Sequence, residues 1–506
     1  MIRPAIALPT CLLVLATACG TDFAPKESAP TGEPAAPLGQ VLDLDVSLPN
    51  LSIGTAPIRG ADFEMRLDIE AGGERRHDAR YTAGRARLAM GSADVEDLSD
   101  GRTTVTISDS VWTTGRIGPL RIENTVFEVL LDGAPADGGW SVSGRSRESQ
   151  TTLDGTFRGW RRHRFLVATT DFFSSGRIVE VALVKETEIR VSEALESVST
   201  DPILRRTADA VFAVNRLSFD DLQRLDPDRG FRTAWQTGIG VGANPHDVVL
   251  VSSDKAYATR YEPPFNDLAV VNPHNGAVLS SIVLEELAEN RDRTPRADRA
   301  VFVEGSVFVG LQDVDRTFTR FAEGKLAVID IDRDEIAGVI RLGGKNPGEI
   351  RVVRAEDGRA KLWVALGGIF PGLQQQELSG GVVVVDPVNR AVERMVLDDD
   401  DAGGNVAGLA VASPGLGYVI VSDSGFRNRV LAFDPERSEV LRVVWESADF
   451  IPEIEIDGHG ILAVPDRSFL DPRLCLYRVP VDPASLETPI GCASLALPAV
   501  SFEPLD

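Results

Sequence analysis

The feature that most constrains this chain is a strand pattern that recurs seven times from about residue 164 onward. Each copy has a short hydrophobic strand, a polar loop, and a second hydrophobic strand that often ends in Asp-Pro or Asn-Pro. The second strands end near positions 182, 226, 272, 330, 386, 434 and 478, so successive copies are 44 to 58 residues apart. The C-terminal two thirds of the chain is therefore predicted to be a repeat of small antiparallel sheets.

Each copy also has room for further strands on either side of this pair. The first strand of the pair falls at residues 165–169, 211–215, 256–260, 307–311, 362–366, 419–423 and 461–465. A preceding strand is visible at residues 245–251, 347–353, 406–411 and 452–456, and a returning strand follows the Asp-Pro turn. Four strands in about 40 to 50 residues are typical of a propeller blade. We therefore predict an all-β, seven-bladed β-propeller over residues 161–506.

The first copy lacks a preceding inner strand, and the C-terminus supplies one. Residues 498–502 repeat the inner-strand pattern of residues 245–249. We expect this last segment to pair with residues 164–170 and to close the ring, because closure removes the exposed edges that a sheet otherwise offers to aggregation.

One copy carries a family resemblance. Tyr257-Ala258-Thr259-Arg260, followed by Leu-Ala-Val-Val-Asn at 268–272, resembles the YVTN-type propeller repeat, in which Tyr-Val-Thr-Asn precedes a Val-Ile-Asp strand. The likeness extends over residues 164–506 as a pattern and is at the superfamily level. It implies an extracytoplasmic binding or surface protein, although a few propeller relatives are lactonases or quinoproteins, and fold alone does not choose between these.

The N-terminus resembles the signal of a bacterial lipoprotein. Arg3 precedes an apolar stretch at residues 5–16, which is shorter than the roughly 20 residues needed to span a bilayer. The small-residue site that ends in Cys19 resembles a lipobox. Residues 1–18 are predicted to be the signal peptide and Cys19 the lipidated residue, with an ordinary cleaved signal as the alternative. This implies anchoring in the cell envelope, at the outer membrane or the cell surface.

Two further segments lie between Cys19 and the repeat. Residues 19–39 are rich in Pro, Ala, Gly and charge, so they are predicted to be a flexible tether. Residues 40–160 alternate apolar and polar side chains, which predicts an antiparallel β-sandwich or small barrel. The net charge of −24 argues against a nucleic-acid partner, which needs a concentrated basic surface. We expect a monomer whose membrane contact is the lipid anchor.

Cys475 and Cys492 flank the turn residues 482–485, and position 483.5 is midway between them. A hairpin centred on this turn places the two cysteines opposite each other, about 4.5 Å apart and within disulfide reach. We predict a disulfide in the exported protein, with two buried free thiols as the alternative.

Phenylalanine occurs in each loop that follows the first repeated strand. These residues are Phe172, Phe219, Phe265, Phe318, Phe321, Phe370, Phe426 and Phe469. In a propeller such loops gather on one face, at the mouth of the channel. An aromatic ring for a ligand is one interpretation, and wedges between adjacent blades are the preferred one.

The candidate ligand-binding residues are charged or aromatic side chains of those loops, together with one histidine that begins an inner strand. They are Arg216, Arg260, Phe265, Asp423, Phe426, Arg467 and His246. The alternatives are a solvated rim of mixed charge and a structural histidine. The five histidines show no metal spacing, and the acidic run at residues 398–401 is interpreted as a solvated loop, with weak cation binding as the alternative. No serine lies in a nucleophile-elbow motif.

These patterns predict a non-catalytic extracytoplasmic binding or scaffolding lipoprotein that presents a propeller face to an envelope protein or glycan. No catalytic residue, metal or cofactor is assigned. The alternative is an envelope hydrolase of the propeller lactonase type, acting at the channel mouth with His246. A quinone-cofactor enzyme ranks third, because the sequence contains no docking motif for one.

Overall fold

The computed structural model describes residues 163–505, apart from 185–186, 208, 355–357 and 372–374. It also describes the backbone of ten strands between residues 40 and 161. The predicted signal peptide, the predicted lipidation site Cys19 and the whole predicted tether lie outside the described residues. No helix of the described part is long and apolar enough to cross a bilayer.

The N-terminal strands are all antiparallel. They are β1 (Gln40–Ile53), β2 (Ala56–Ile69), β3 (Arg75–Tyr81), β4 (Arg87–Ala89), β5 (Ala93–Asp97), β6 (Thr103–Ile107), β7 (Ser110–Thr114), β8 (Gly118–Ile122), β9 (Gly139–Glu148) and β10 (Thr151–Arg161). Five of them form a sheet in the order β3-β2-β1-β10-β9. The sandwich or barrel stays a prediction, since the side chains that would make its core lie outside the described set.

The rest of the chain forms seven antiparallel sheets, which confirms the predicted seven-bladed propeller. Blade 1 contains β11 (His163–Thr170), β12 (Gly176–Leu183), β13 (Ile189–Val191), β14 (Glu196–Val198) and the C-terminal β39 (Ala499–Pro504). Blade 2 contains β15 (Pro202–Arg206), β16 (Val211–Asn215), β17 (Asp221–Asp226) and β18 (Arg232–Gly238). Blade 3 contains β19 (Pro245–Ser252), β20 (Lys255–Arg260), β21 (Asp267–Val271) and β22 (Val278–Val283).

The remaining four blades repeat the same four-stranded meander. Blade 4 contains β23 (Ala297–Val303), β24 (Ser306–Leu311), β25 (Lys325–Asp330) and β26 (Glu335–Arg341); blade 5 contains β27 (Pro347–Arg354), β28 (Ala360–Leu366), β29 (Gly381–Asp386) and β30 (Ala391–Asp398). Blade 6 contains β31 (Asn405–Ser413), β32 (Leu416–Ser422), β33 (Asn428–Asp434) and β34 (Glu439–Ser447); blade 7 contains β35 (Glu455–Ile456), β36 (Ile461–Asp466), β37 (Arg473–Arg478) and β38 (Thr488–Ser494). The described helices are one α-turn (Asp399–Ala402) and two 3₁₀ turns (Pro227–Arg229 and Glu285–Leu287).

The ring is closed by the C-terminal strand, as predicted. Strand β39 pairs antiparallel with β11, with Phe502 opposite Val167 and Pro504 opposite Phe165. The rings of Phe502 and Phe165 also meet edge to face at 6.4 Å. Both phenylalanines are completely buried, so the closing contact is made by apolar side chains as well as by the backbone ladder.

The hydrophobic core is divided among the interfaces between blades. Each of seven clusters of buried side chains contains residues from two neighbouring blades, and together the clusters cover every junction of the ring. One cluster, for example, joins Phe212 of blade 2 to Val271 of blade 3. A single blade therefore cannot bury its own faces, and its stability depends on both neighbours.

Blade 7 carries the predicted disulfide. Cys475 of β37 lies directly opposite Cys492 of β38, with a Cα–Cα distance of 3.9 Å. The two sulfur atoms are bonded, which confirms the pairing and excludes two free thiols at these positions. The bond links β37 and β38, the two outer strands of blade 7, and blade 7 is next to the blade that contains the closing strand.

Candidate functional site in the propeller channel

The inner strands of three consecutive blades share a β-bulge at the same place. In β19 the pairing skips from Pro245 to Val248, in β23 from Ala297 to Ala300, and in β27 from Pro347 to Ile350. The skipped residues are His246 and Asp247, Asp298 and Arg299, and Gly348 and Glu349. A bulge bends its strand and re-aims the side chains it carries, and bulges are common beside binding sites. Five ionisable side chains are placed along the channel in this way.

Carboxyl and guanidinium groups interact along the channel. The carboxyls are Asp247, Asp298, Glu349, Glu455 and Glu503 on the inner strands and Glu453 just before β35, and the guanidiniums that act on them include Arg205, Arg299 and Arg351. Blade 6 contributes Ala407 and Gly408 at the corresponding place. The channel thus holds charges of both signs, and its blade 6 side has almost no side chains.

Ion pairs hold most of these groups. Arg205 donates from Nε to Asp247 Oδ1 at 2.6 Å and lies 3.6 Å from Glu503 Oε1. Arg351 of blade 5 reaches past blade 6 and pairs with Glu455 of blade 7. Glu349 accepts from neither of its arginines at close range, since Arg299 and Arg351 each lie 3.5 Å from one of its oxygens. Glu349 and both of these arginines border open space.

That space is a cavity of about 80 Å³. Its walls are formed by Asp298, Arg299, Gly348, Glu349, Arg351, Ala407, Gly408, Leu409, Pro452, Glu453 and Ile454. A cavity needs roughly 10–15 Å³ measured in this way to hold one water molecule. The channel therefore has room for several waters or for a small polar molecule.

Glu453 differs from the other channel acids in its partners. Its carboxylate accepts hydrogen bonds from Ser501 Oγ at 3.1 Å and from the backbone N–H of Phe502 at 2.9 Å. No ion pair joins it to a cationic side chain of the described residues. Burial raises the pKa of Glu453 against the attraction of Arg205, and its neighbour Glu349 adds to the rise.

The acids deeper in the channel are shifted in the same direction. Burial raises the pKa of Glu503 to about 7, against the attraction of Arg205. Burial also raises the pKa of Glu455 far above its usual range, despite the ion pair with Arg351. The channel thus holds protons that an unfolded chain would release at the same pH.

Glu503→Gln is expected to weaken the pH dependence of stability between about pH 4.5 and pH 7. Because the pKa of Glu503 is raised in the folded protein, its stabilising contribution is complete below its usual value of 4.5 and is lost as the pH rises to about 7. At about 1.4 kcal/mol per pKa unit, the loss is on the order of 3 kcal/mol. Urea unfolding at pH 5 and pH 7.5 measures it. The exposed Glu439→Gln should keep the wild-type slope, and an equally steep slope in Glu503→Gln would contradict the assignment.

His246 lies at the channel in a defined protonation state. Its Nδ1 is 2.7 Å from Asp298 Oδ1, and its Nε2 faces the amide nitrogen of Asn244 at 3.3 Å. Burial lowers the pKa of His246, and Asp298 opposes that shift. Since the amide nitrogen of Asn244 can only donate, the geometry fits a neutral imidazole that donates from Nδ1 and accepts at Nε2.

The ring of His246 is also fixed from one side. It stacks on Tyr261 at 3.9 Å between ring centroids, and the Tyr261 hydroxyl donates to Gln312 at 2.5 Å. Gln312 in turn donates to Asp298 Oδ2 at 3.0 Å. Although burial disfavours the ionised form of Asp298, the hydrogen bond from His246 lowers the pKa of Asp298 to about 2. The imidazole is therefore oriented by a closed set of partners.

The structure does not bring all the remaining predicted ligand-binding residues to the channel. Arg216 binds Asp201 at 2.7 Å and lies near enough to His246 to lower its pKa. Arg260 is fixed inside blade 3, where its Nε donates to Asp267 at 2.7 Å and its guanidinium covers the ring of Phe265 at 4.4 Å. These contacts give Arg260 and Phe265 a structural role in their own blade.

Asp423 stabilises its own loop, whereas Arg467 packs against a loop of the neighbouring blade. Asp423 accepts from the backbone N–H groups of Gly425 and Arg427 at 2.8 and 3.0 Å, and Phe426 beside it is 57% exposed. The Arg467 guanidinium covers the ring of Phe172 at 4.2 Å, and burial lowers the pKa of Arg467 to about 10. The loops carrying these residues lie on the same face as the channel mouth, because each follows the second strand of its blade.

The loop phenylalanines divide into two groups. Phe172, Phe265, Phe321 and Phe370 are half-buried, which fits wedges between blades. The others are exposed: Phe219 by 50%, Phe318 by 36%, Phe426 by 57% and Phe469 by 65%. Phe318 and Phe469 still meet Tyr261 and Phe172 of the neighbouring blades, at 6.5 and 6.3 Å between ring centroids. The wedge interpretation is wrong for Phe219 and Phe426, whose side chains leave apolar surface on the mouth face.

The acidic run at residues 398–401 is also not wholly solvated, contrary to expectation. Asp399 is buried and accepts a hydrogen bond from the backbone N–H of Gly380 at 2.8 Å. Burial raises the pKa of Asp399 to about 6. Asp398 accepts from the N–H of Asp400 and so caps the short α-turn. These local contacts give Asp398 and Asp399 structural roles in their own loop.

Most of the channel residues were not predicted from the sequence. Only His246 was singled out, whereas Asp298, Arg299, Glu349, Arg351 and Glu453 line the cavity. The sequence did contain an indication of these residues. Charged residues follow Pro245, Pro347 and Pro452 in the predicted inner strands, which line the channel of a propeller.

Comparison with known proteins adds little beyond the architecture. No protein-family model and no curated protein matches the chain. Among solved structures, it is similar to a putative 6-phosphogluconolactonase from Bacteroides fragilis, with 15% identity and a TM-score of 0.49 over 68% of this chain and 98% of that one. It is also similar to the β-propeller domain of Cps50 (Swd1) from Myceliophteria thermophila, with 12% identity and a TM-score of 0.42 over 60% and 93% of the two chains.

Proposed function

We propose that this protein is a non-catalytic binding protein whose propeller channel holds a small polar ligand. The observation that carries the proposal is the preformed cavity, with Arg299, Arg351 and three carboxyl groups on its walls and the uncharged Ala407, Gly408 and Leu409 from blade 6. Binding sites for small molecules are typically concave, preformed and equipped with a few convergent polar groups.

The proposed setting is the bacterial cell envelope. A lipid on Cys19 anchors the chain, residues 19–39 tether it, and the propeller is held near the membrane surface. The exposed side chains of Phe219, Phe426 and Phe469 support a further contact of the mouth face with an envelope protein or glycan. In this proposal the protein acts as a monomer and needs no cofactor.

A second candidate function is hydrolysis of the lactonase type. It is favoured by the pair of His246 and Asp298, because a neutral imidazole oriented by a carboxylate through Nδ1 can serve as a general base at Nε2. Turnover of a lactone that disappears in His246→Ala would favour this function over simple binding.

Gly348→Leu tests the binding proposal. A Cβ atom at Gly348 meets no heavy atom within 4 Å, so the new side chain can enter the cavity without a clash. The probe is a thermal-shift panel of D-glucose, glycine, acetate and ethanolamine, measured with the full chain. We expect at least one compound to raise the melting temperature of the wild type and none to raise that of Gly348→Leu.

Gly415→Leu is the matched control. Gly415 lies in the turn between β31 and β32, and a Cβ there first meets a side-chain atom of Pro483 at 3.9 Å. This variant should respond to the panel like the wild type. Equal responses of wild type and Gly348→Leu would place the binding site outside the channel and overturn the proposal.

A further inference from the structure

Glu453 is a buried channel acid that has hydrogen bonds but no ion pair among the described residues. It is 5% exposed, and it lies on the wall of the channel cavity. Its described hydrogen bonds come from neutral donors, the Ser501 hydroxyl and the Phe502 backbone. By contrast, Asp247 and Glu455 form ion pairs with Arg205 and Arg351. A buried carboxylate without a cationic partner is costly, so it binds either a proton or a cation.

The charged groups around the cavity leave Glu453 without an ion pair among the described residues. Arg205 and Arg299 attract its carboxylate from a distance and Glu349 repels it. The guanidiniums of Arg299 and Arg351 lie on the same cavity, but each is within 3.5 Å of Glu349. The two guanidiniums of the cavity thus form their ion pairs with other carboxyl groups, and Glu453 has hydrogen bonds but no ion pair.

The arrangement suits an organic cation better than a metal ion. Calcium takes six to eight oxygen ligands and zinc usually four ligands, which requires several donors around one point. Among the described residues, three carboxylates come within 4.8 Å of one another only at Asp398, Asp399 and Asp400, outside the channel. A single carboxylate is enough for a charge-assisted hydrogen bond from an ammonium group.

We infer that the channel ligand carries a primary ammonium group, that this group binds the Glu453 carboxylate, and that a hydroxyl or carbonyl oxygen of the ligand accepts from Arg299. The inference rests on the proposed binding function and names its ligand class. Arg299 uses Nη1 for the carbonyl oxygen of His246 at 3.3 Å, which leaves N–H groups of its guanidinium for such an acceptor. Small amino alcohols and amino sugars have this combination of groups.

Isothermal titration at pH 8 with ethanolamine as the probe tests the inference. The wild type should bind ethanolamine, and it should bind acetate, which has no ammonium group, much more weakly. Glu453→Gln preserves an acceptor for Phe502 and a polar group for Ser501 but removes the charge, so affinity for ethanolamine should fall roughly tenfold to hundredfold. The exposed Glu439→Gln should bind like the wild type.

The outcomes separate this inference from the binding proposal. Unchanged ethanolamine affinity in a folded Glu453→Gln, verified by its melting curve, overturns the inference. Tighter binding of acetate or of Ca²⁺ than of ethanolamine also overturns it, as does the absence of ethanolamine binding. If D-glucose then binds the wild type and not Gly348→Leu, the binding proposal stands while the ligand class is wrong. If no compound distinguishes Gly348→Leu from the wild type, the binding proposal itself fails.

Discussion

Deleting residues 497–506 is expected to destroy the cooperative unfolding transition of the propeller. The deletion removes β39, which is the inner strand of blade 1 and the closing partner of β11. It exposes apolar surface on blades 1, 2 and 7, because Phe502 and Val500 belong to the two clusters on either side of blade 1. Without the strand, β11 becomes an open edge that favours aggregation.

The single substitution Phe502→Ala measures the same contact without breaking the chain. Phe502 is completely buried and packs against Phe165, so we expect the free energy of unfolding to fall by about 3–5 kcal/mol. Urea unfolding of the full chain gives the value. Val481→Ala is the control, because Val481 is fully exposed and its loss should change stability by less than about 0.5 kcal/mol. A cooperative, unshifted melt of the deletion variant would show that the ring does not depend on β39.

The second large effect is expected at a buried ion pair of blade 4. Lys325 Nζ binds Asp313 Oδ2, and their side chains are 3% and 1% exposed. Asp313 also accepts from the backbone N–H groups of Glu289 and Asn290 at 2.9 and 3.0 Å. Lys325→Met keeps the length of the side chain but leaves the carboxylate buried without its cation. Breaking such a pair from one side costs about 3–5 kcal/mol.

The double variant Asp313→Asn with Lys325→Met provides the control. Asparagine keeps an oxygen for the two backbone N–H groups and carries no charge, so the double variant should be more stable than Lys325→Met alone. Urea unfolding of both variants at pH 7 checks this. A loss below about 1 kcal/mol in Lys325→Met, or no recovery in the double variant, contradicts the assignment of the cost to an unpaired charge.

The blade count and the ring closure could be predicted from the sequence because they depend on local patterns. Hydrophobic strands with a period of two, Asp-Pro turns and the copy of the inner strand at residues 498–502 are all visible in the chain. The pairing of Cys475 with Cys492 followed from the same hairpin geometry. In each case residues close in sequence, or a repeat of them, determine the contact.

The channel site could not be predicted in the same way. Whether Asp298 or Arg299 lines the channel depends on a bulge, and the shift in pairing between Ala297 and Ala300 leaves no pattern in a single sequence. Glu453 follows a proline in an alternating segment and resembles any solvated glutamate, although its partners Ser501 and Phe502 are almost 50 residues away. Contacts across the ring are set by closure, which acts on all blades at once.

For the exposed phenylalanines, the sequence predicted the location but not the exposure. Their recurrence after each first strand predicted their location on one face, but not whether blades would cover them. Phe426 follows the tight turn capped by Asp423 and projects into solvent, whereas Phe265 is covered by Arg260. The difference comes from the lengths and partners of the individual loops.

The most direct test of ligand binding in the channel is a crystal structure of the full chain purified from its native source. We expect electron density other than water in the cavity between Arg299 and Glu453, with an atom of the bound molecule within hydrogen-bond distance of the Glu453 carboxylate. Ordered water alone in that cavity, with a co-purified molecule bound on the phenylalanine loops instead, would contradict it.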